Sequence, residues 1–371
     1  MTLICLLRWS VLVTLLSSCQ AFARQYNRWG PKLTSTSTTP LKMNPGDVNC
    51  IKTVDVLSLD SIRSTLIRQE ETIIFALIER AQYRQNSEVY VKGAMGNLGI
   101  PPGSSMPEQD DQLSFLEYML VGTEALHSLV RRYTSPEEHA FFPDRLPRGI
   151  MGALDYLDYP QDLLSGKGGA GEVNFNPVLL QKYIDVIVPS ITKSGDDEQY
   201  GSSVLADTAV LQALSRRVHY GKFVAESKYR SDPEAYQKLV DDNDATGVMA
   251  LLTNLPVEKK VLRRARLKAA TYGTEPLLAQ LPPIEGHSDT ASIVAAAAAS
   301  AVVAALEAMG DNHGMDYKNK VCPKSVEVIY QDIVIPLTKD IEVAYLFRRC
   351  GKEPPPEYRS DRMSTDVING E

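Results

Sequence analysis

The sequence lacks the short motifs that most enzyme classes carry. There is no HExxH, no GxSxG nucleophile turn and no GxxxxGK[ST] phosphate loop. Zincin-type hydrolysis, serine-hydrolase chemistry and P-loop phosphoryl transfer therefore have no anchor here. The five histidines, His127, His139, His219, His287 and His313, form no ligand spacing. Cysteine is sparse. Cys5 and Cys19 lie at the extreme N-terminus, and Cys50, Cys322 and Cys350 are odd in number, scattered and without a CxxC. Such a set is no disulfide framework and fits a reducing compartment. The acidic doublets Asp110-Asp111, Asp196-Asp197 and Asp241-Asp242 fall in expected loops without a helical DDxxD, which disfavours metal-diphosphate chemistry. Two Trp against 17 Tyr say little alone.

Long apolar runs are missing as well. Trp9–Leu16 is too short to span a bilayer. Asp289–Met309 is rich in Ala, only weakly apolar, and contains Glu307, so it reads as a low-complexity insertion rather than a membrane span. Acids are absent before Asp47, a stretch that holds five Arg or Lys, although the whole chain carries a net charge of -7. An acidic body excludes general nucleic-acid binding. The basic, acid-free start marks a processing segment. Residues 1–21 read as a signal peptide ending in the small-x-small site Cys19-Gln20-Ala21. Residues 22–46, with Arg24, Arg28, Lys32 and the cluster Thr34–Thr39, read as a transit-like segment. The junction SSCQAFAR resembles the bipartite plastid presequences of algae with secondary plastids. A plastid location is expected, with secretion as the alternative.

What is present is helical periodicity. The 371 residues, 44% of them hydrophobic, suffice for a large core. Apolar spacing predicts helices over 54–84, 112–133, 177–193, 203–229, 233–240, 245–253, 257–272 and 323–349. Gly221 is expected to be tolerated inside the long central helix, and Pro336 to bend the last one. The body is expected over 47–350, with an Ala-rich insertion at 275–320 and a disordered tail at 351–371. No strand pattern longer than four residues and no internal repeat is visible. The fold class is all-α, a single large helical domain with long central helices.

The run LSRRVHYGKFVAESKY, Leu214–Tyr229, concentrates the chemistry. Arg217 and Lys228 stand eleven residues apart, about three helical turns, on one face, with the single intervening acid, Glu226, on the opposite face. Cations in so apolar a helix need a charged partner or ligand, which points to an anion site; solvated surface cations are the alternative. Asn254 with Glu258 and Thr338 with Glu342 add two polar pairs at i,i+4 spacing. Lys339 and Asp340 beside them read as an ordinary solvated face.

These stretches carry a resemblance. IRSTLIRQEETIIFALIERAQY (Ile62–Tyr83), VRRYTSPEEHAFFPD (Val130–Asp144), YGSS (Tyr200–Ser203), LSRRVHYGKFVAESKY, TNLPVEKK (Thr253–Lys260) and IYQDIVIPLTKDIEVAYLFRR (Ile329–Arg349) occur in family order. Together they resemble the eukaryotic all-helical AroQ-class chorismate mutases of fungi and plants. The resemblance implies conversion of chorismate to prephenate by a Claisen rearrangement in phenylalanine and tyrosine biosynthesis, with no cofactor and no metal. It implies Arg63 and Arg217, assisted by Thr338, on the substrate carboxylates; Lys228 and a protonated Glu342 on the ether oxygen; and Glu258 with Asn254 on the ring hydroxyl. It further implies a homodimer regulated by tyrosine, phenylalanine or tryptophan, with Glu70, Arg131, Arg132, Gly201 and Ser202 contacting the effector. Leu205 stands where fungal members have a Thr, and the Ala-rich insertion lengthens the loop before the last helix. A catalytically silent helical scaffold that kept the fold is the alternative from another class.

Overall fold

The computed structural model describes residues 56–104, 112–148, 163–273 and 320–361. The expected signal peptide, the transit-like segment, residues 275–319 of the insertion and residues 362–371 of the tail lie outside the described residues. Among the described residues all regular structure is helical, without a strand. Helix α1 is Leu59–Ala81; the Ser58 hydroxyl caps it by accepting from Ser61 N. Helix α2, Phe115–Leu129, starts with a reciprocal capping box between Ser114 and Glu117. Helix α3 joins Asn176–Lys182, a π turn at Tyr183–Ile187 and a last turn, Val188–Ile191. Then follow α4 (Tyr200–His219), α5 (Gly221–Ser231), α6 (Pro233–Asp241), α7 (Ala245–Leu252) and α8 (Leu255–Gly273). Helix α9 joins Pro323–Ile329, a π turn at Tyr330–Val334, and Ile335–Arg349.

The apolar faces meet in two adjoining cores. Ile73, Leu77, Leu116, Phe175, Leu211 and Val334 belong to the one that joins α1, α2, α3, α4 and α9. Phe223, Tyr236, Val248, Tyr345 and Phe347 belong to the other, where α5, α6 and α7 pack on the C-terminal half of α9. Each such side chain contributes about 1.5–3 kcal/mol by leaving water. Under the first core lies a buried polar knot. Arg80 and Tyr183 both bond Asp207, and Tyr90 donates to the same carboxylate at 2.9 Å, tying α1, α3 and α4 together.

Four expectations change. The predicted helix 203–229 is two helices, parted at Tyr220, where Phe223 N bonds Tyr220 O in a tighter turn. Gly221 is required there, not merely tolerated. A Cβ on it would lie 2.9 Å from both Cγ2 and the backbone oxygen of Thr338, and 3.2 Å from Cγ of Glu342. Just beyond, the buried Lys222 ammonium donates to the carbonyls of Gly171 (2.6 Å) and Val173 (3.2 Å), and burial pushes its pKa down to about 7. Second, Asn254 precedes α8 rather than sharing a helical face with Glu258. Its backbone carbonyl accepts the first helical bond, from Glu258 N, and its side chain accepts from Val257 N.

Third, a seven-residue pattern does recur: Tyr183-Ile-Asp-Val-Ile-Val-Pro189 and Tyr330-Gln-Asp-Ile-Val-Ile-Pro336. In both copies Tyr opens a π turn closed by an N–H to the Tyr carbonyl, from Val188 and from Ile335. The proline that follows has no N–H and would crowd the carbonyl four residues back, and the wider π turn relieves that conflict. Pro336 is thus accommodated by a π turn. Fourth, residues 351–361 of the expected disordered tail pack on the body. Pro356–Tyr358 forms a 3-10 turn, and Lys352 Nζ donates to Asp241 O at 2.6 Å.

The contact at Gly221 yields a first prediction. Gly221→Ala forces α5 off α9 and destabilises the fold by about 1–3 kcal/mol, read as a lower midpoint in urea unfolding. An unchanged midpoint would show that the approach is looser than described.

Candidate active site

The break at Tyr220 divides the labour between two helices. Arg217 ends α4 and Lys228 ends α5, so the two cations do not share one continuous face. They meet electrostatically at Glu342 of α9. Arg217 is only 5% exposed. Its Nη1 faces Thr338 Oγ1 at 3.5 Å, while its Nε is buried with no hydrogen-bond partner. The Thr338 hydroxyl donates to Val334 O at 2.6 Å, which turns its lone pairs toward the guanidinium. Burial pulls the Arg217 pKa down, opposed by the nearby Tyr330, Glu70 and Glu342.

Glu342 is buried beside these groups. Burial pushes its pKa up to about 7, against the pull of Lys228, Arg217 and Lys339 and with the push of Glu258. Near neutral pH it can therefore hold a proton and donate a hydrogen bond. Lys228 Nζ donates to Leu252 O at the end of α7. Glu258 pairs with Lys339 at 2.8 Å, both side chains about a quarter exposed or less (24% and 21%). Lys339 is thus a member of the cluster and not the solvated residue expected from its neighbours.

Not every candidate gathers there. Arg63 lies on the surface of α1 with its side chain 55% exposed, paired with Asp60 at 3.1 Å. It sits two helical turns from Glu70, on the same face of α1 and about 10 Å along the axis. Glu70 itself is fully buried. It binds the guanidinium of Arg264 through both carboxylate oxygens and faces Lys268 at 3.4 Å. The four other effector candidates lie elsewhere. Arg131 has a left-handed backbone, φ +60°, at the end of α2. Arg132 donates to Gln212 of α4 (3.1 Å) and Glu138 (3.0 Å). Gly201 and Ser202 form the first turn of α4, with Leu205 exposed one turn later. Glu70 thus acts electrostatically on Arg217, among the candidate catalytic residues, because the α1 face that carries it packs on α8.

Three members of the cluster escaped the sequence reading: Arg264, Lys339 and Tyr330, whose buried hydroxyl has no hydrogen-bond partner. Arg264 and Glu70 are 194 positions apart, and no local spacing announces such a pair. A cavity of ≈ 280 Å³ lined by Glu172, Phe175, Arg348 and Tyr358 lies on another face of α9 and holds none of the candidate residues. Among the described residues no three His, Cys, Asp or Glu side chains gather as a metal site.

The arrangement defines an all-helical protein with a buried cluster of donors: one guanidinium with a free edge, the ammoniums of Lys228 and Lys339, and a carboxyl whose pKa burial raises to about 7, with no nucleophile beside a base among the described residues of the cluster. No family model matches the chain. It is 36% identical over 304 residues to the chloroplastic chorismate mutase 1 of Petunia hybrida, covering 82% of this chain and 79% of that protein. Among solved structures it resembles the Candida albicans chorismate mutase Aro7p in complex with L-Trp, with a TM-score of 0.62, 35% identity, and 80% of this chain and 94% of that one covered. It also resembles AtCM1 with tyrosine bound in the allosteric site, with a TM-score of 0.59, 34% identity, and coverages of 80% and 98%. The chain belongs to the eukaryotic all-helical chorismate mutases and is an isomerase.

Burial of Glu342 fixes a pH signature of stability. Its pKa is raised on folding, so between about 4.5 and about 7 the folded state binds more protons than the unfolded one, and stability drops as pH rises through that window. Glu342→Gln removes this slope. The variant matches the parent at pH 5 and exceeds it by on the order of 2 kcal/mol above pH 8, measured by urea unfolding across pH. Parallel curves would show that Glu342 ionises as freely folded as unfolded.

Proposed function

We propose that this cluster binds chorismate and accelerates its rearrangement to prephenate. The observation that supports this best is the buried Arg217 with its unpartnered Nε, facing Thr338 and close to Lys228 and to Glu342, whose pKa burial raises to about 7. In a Claisen rearrangement the ether C–O bond breaks as a new C–C bond forms, within one molecule and without proton transfer. The protein must hold the compact conformer and stabilise charge on the departing ether oxygen. Arg217 and Thr338 take one carboxylate, the guanidinium offering two parallel donors. Arg63, exposed and bound only to Asp60, swings inward to take the other. Lys228 and protonated Glu342 donate to the ether oxygen, where negative charge develops. Glu258, with Asn254 beside it, accepts from the ring hydroxyl. Glu70 and Arg264 brace Arg217 from behind.

The effector reading is a second part of the same proposal. Arg132 reaches Gln212, ten residues beyond Ser202 on α4, a separation of about 15 Å along a helix. One chain therefore cannot close Arg131 and Arg132 on a molecule that also touches Gly201 and Ser202. A homodimer can, with each site taking its cations from one subunit and its α4 start from the other. Tryptophan, tyrosine and phenylalanine are the candidate effectors, because AtCM1 structures hold tyrosine and phenylalanine in the allosteric site and the Candida albicans Aro7p structure is a complex with L-Trp. Leu205 replaces a hydroxyl by an apolar group there and favours a ring edge over a polar tip. The basic presequence, together with the chloroplastic relatives, supports a plastid location.

Two outcomes test this. The purified protein is expected to consume chorismate, with turnover falling as pH rises through about 7, the pKa that burial imposes on Glu342. Lys228→Met lowers kcat by about 100-fold or more; a folded protein without turnover would leave the scaffold alternative. For regulation, turnover is measured against each aromatic amino acid, and Arg131→Ala is expected to abolish the response. A response that survives in Arg131→Ala would move the effector site elsewhere.

A further inference from the structure

Glu226 is a buried acid that the reaction does not need. Only 1% exposed, it is the one acid in the run between Arg217 and Lys228. Its carboxylate accepts from Arg349 Nε at 2.7 Å and Nη2 at 3.3 Å, from the Tyr345 hydroxyl at 2.6 Å and from Arg230 Nε at 2.8 Å. Arg349 stacks over the Tyr229 ring, 3.9 Å from its centroid. Tyr345 in turn accepts from Ser165 N at 2.9 Å. One carboxylate thus joins α5, the end of α9 and the 165 loop. Burial alone would raise its pKa, but the hydrogen bonds from Arg349, Tyr345 and Arg230 outweigh that and hold it below the usual range.

Helix α5 has 11 residues, a length at which a helix is marginal without tertiary contacts. Its position is set by what it is fastened to. At its start Gly221 lies against Thr338 and Glu342. Further along, Glu226 grips Tyr345 and Arg349, about one and two turns beyond Glu342 on α9. Glu226 and Lys228 are two residues apart, about 200° around the helix. The grip on one side of α5 therefore sets how far Lys228 stands from Glu342 on the other.

We propose that Glu226, with Arg349 and Tyr345, is a positioning residue that fixes α5 so that the Lys228 ammonium is held at the substrate's ether oxygen beside Glu342. This rests on the reading of Lys228 and Glu342 given above. Glu226 touches no substrate and acts only through Lys228. Two consequences separate that role from a merely structural one. Lys228 leads the charges that pull the Glu342 pKa down; Arg217 and Lys339 also pull, Glu258 pushes, and Tyr236 of α6 couples to the same carboxyl. If α5 shifts and Lys228 withdraws, the alkaline limb of activity moves to higher pH. Loss of Glu226 should also cost nothing further once Lys228 is gone.

The experiment measures kcat, KM and the pH profile of chorismate turnover in Glu226→Gln, Lys228→Met and the double variant, with circular dichroism for folding. Glu226→Gln keeps the shape and removes the charge. Expected is a kcat about tenfold lower with KM within about twofold, as for a displaced catalytic group. The alkaline limb moves up, and the double variant is no slower than Lys228→Met alone. Arg349→Lys, which keeps the charge but loses the forked contact, gives the same limb shift to a smaller extent and serves if Glu226→Gln does not fold. A folded Glu226→Gln with parental kcat and limb overturns the proposal, as does a double variant whose losses multiply. A Lys228→Met protein that retains full turnover instead overturns the assignment of Lys228 itself.

Discussion

Everything in this site follows from taking the Arg217 guanidinium out of water. An isolated buried ion costs several kcal/mol, and Arg217 keeps a buried Nε without a partner. The fold meets that cost in part by placing Tyr330, Glu70 and Glu342 where each favours the charged guanidinium. The remaining deficit is what an anionic ligand can fill. The geometry of α4, α5 and α9 is set by the same demand. Gly221 lets α5 lie against Thr338, whose hydroxyl donates to Val334 O one turn back on α9.

The helices were legible because apolar spacing is a local property. Ile73, Ile74, Leu77 and Ile78 announce α1 without knowledge of its neighbours. Arg217 and Lys228 stood out as candidates for the same local reason, charge inside apolar sequence, whereas Glu342 drew notice only through its i,i+4 spacing from Thr338. The junction at Tyr220 was hidden because a Gly in a helical pattern has the same spelling whether it is tolerated or required. What decides is a contact with Thr338, 117 positions away by the numbering. The partners of Glu70 and Glu258 were hidden for the same reason. Lys339 looked solvated from its neighbours Thr338 and Asp340 and is occupied by Glu258 of another helix. The two π turns were legible in principle, since the Tyr-x-Asp pattern ending in Pro occurs twice.

The charged groups divide by the direction in which folding moves them, and Glu226 and Glu342, both packed at the contact of α5 with α9, fall on opposite sides. Glu226 is held ionised more firmly in the fold than outside it, by contacts that outweigh burial. Such a group contributes stability across the neutral range. Arg217 and Glu342 move the opposite way, each pushed by burial toward its uncharged form. Neither is explained as a stabilising contact, and each opposes folding near neutral pH. Lys222 and Asp207 move that way too, as parts of buried hydrogen-bond networks, so the shift points to chemistry only where the group also faces an unfilled site. A carboxyl with a pKa of about 7 can be a donor to a developing negative charge, which an ordinary glutamate at the same pH cannot. The knot at Glu226 lies beside the cluster rather than in it, and its contacts offset part of that cost. Burial therefore cannot be relaxed around Glu342 to gain stability without returning its proton to water, and the strain on the fold and the chemistry of the site are the same quantity.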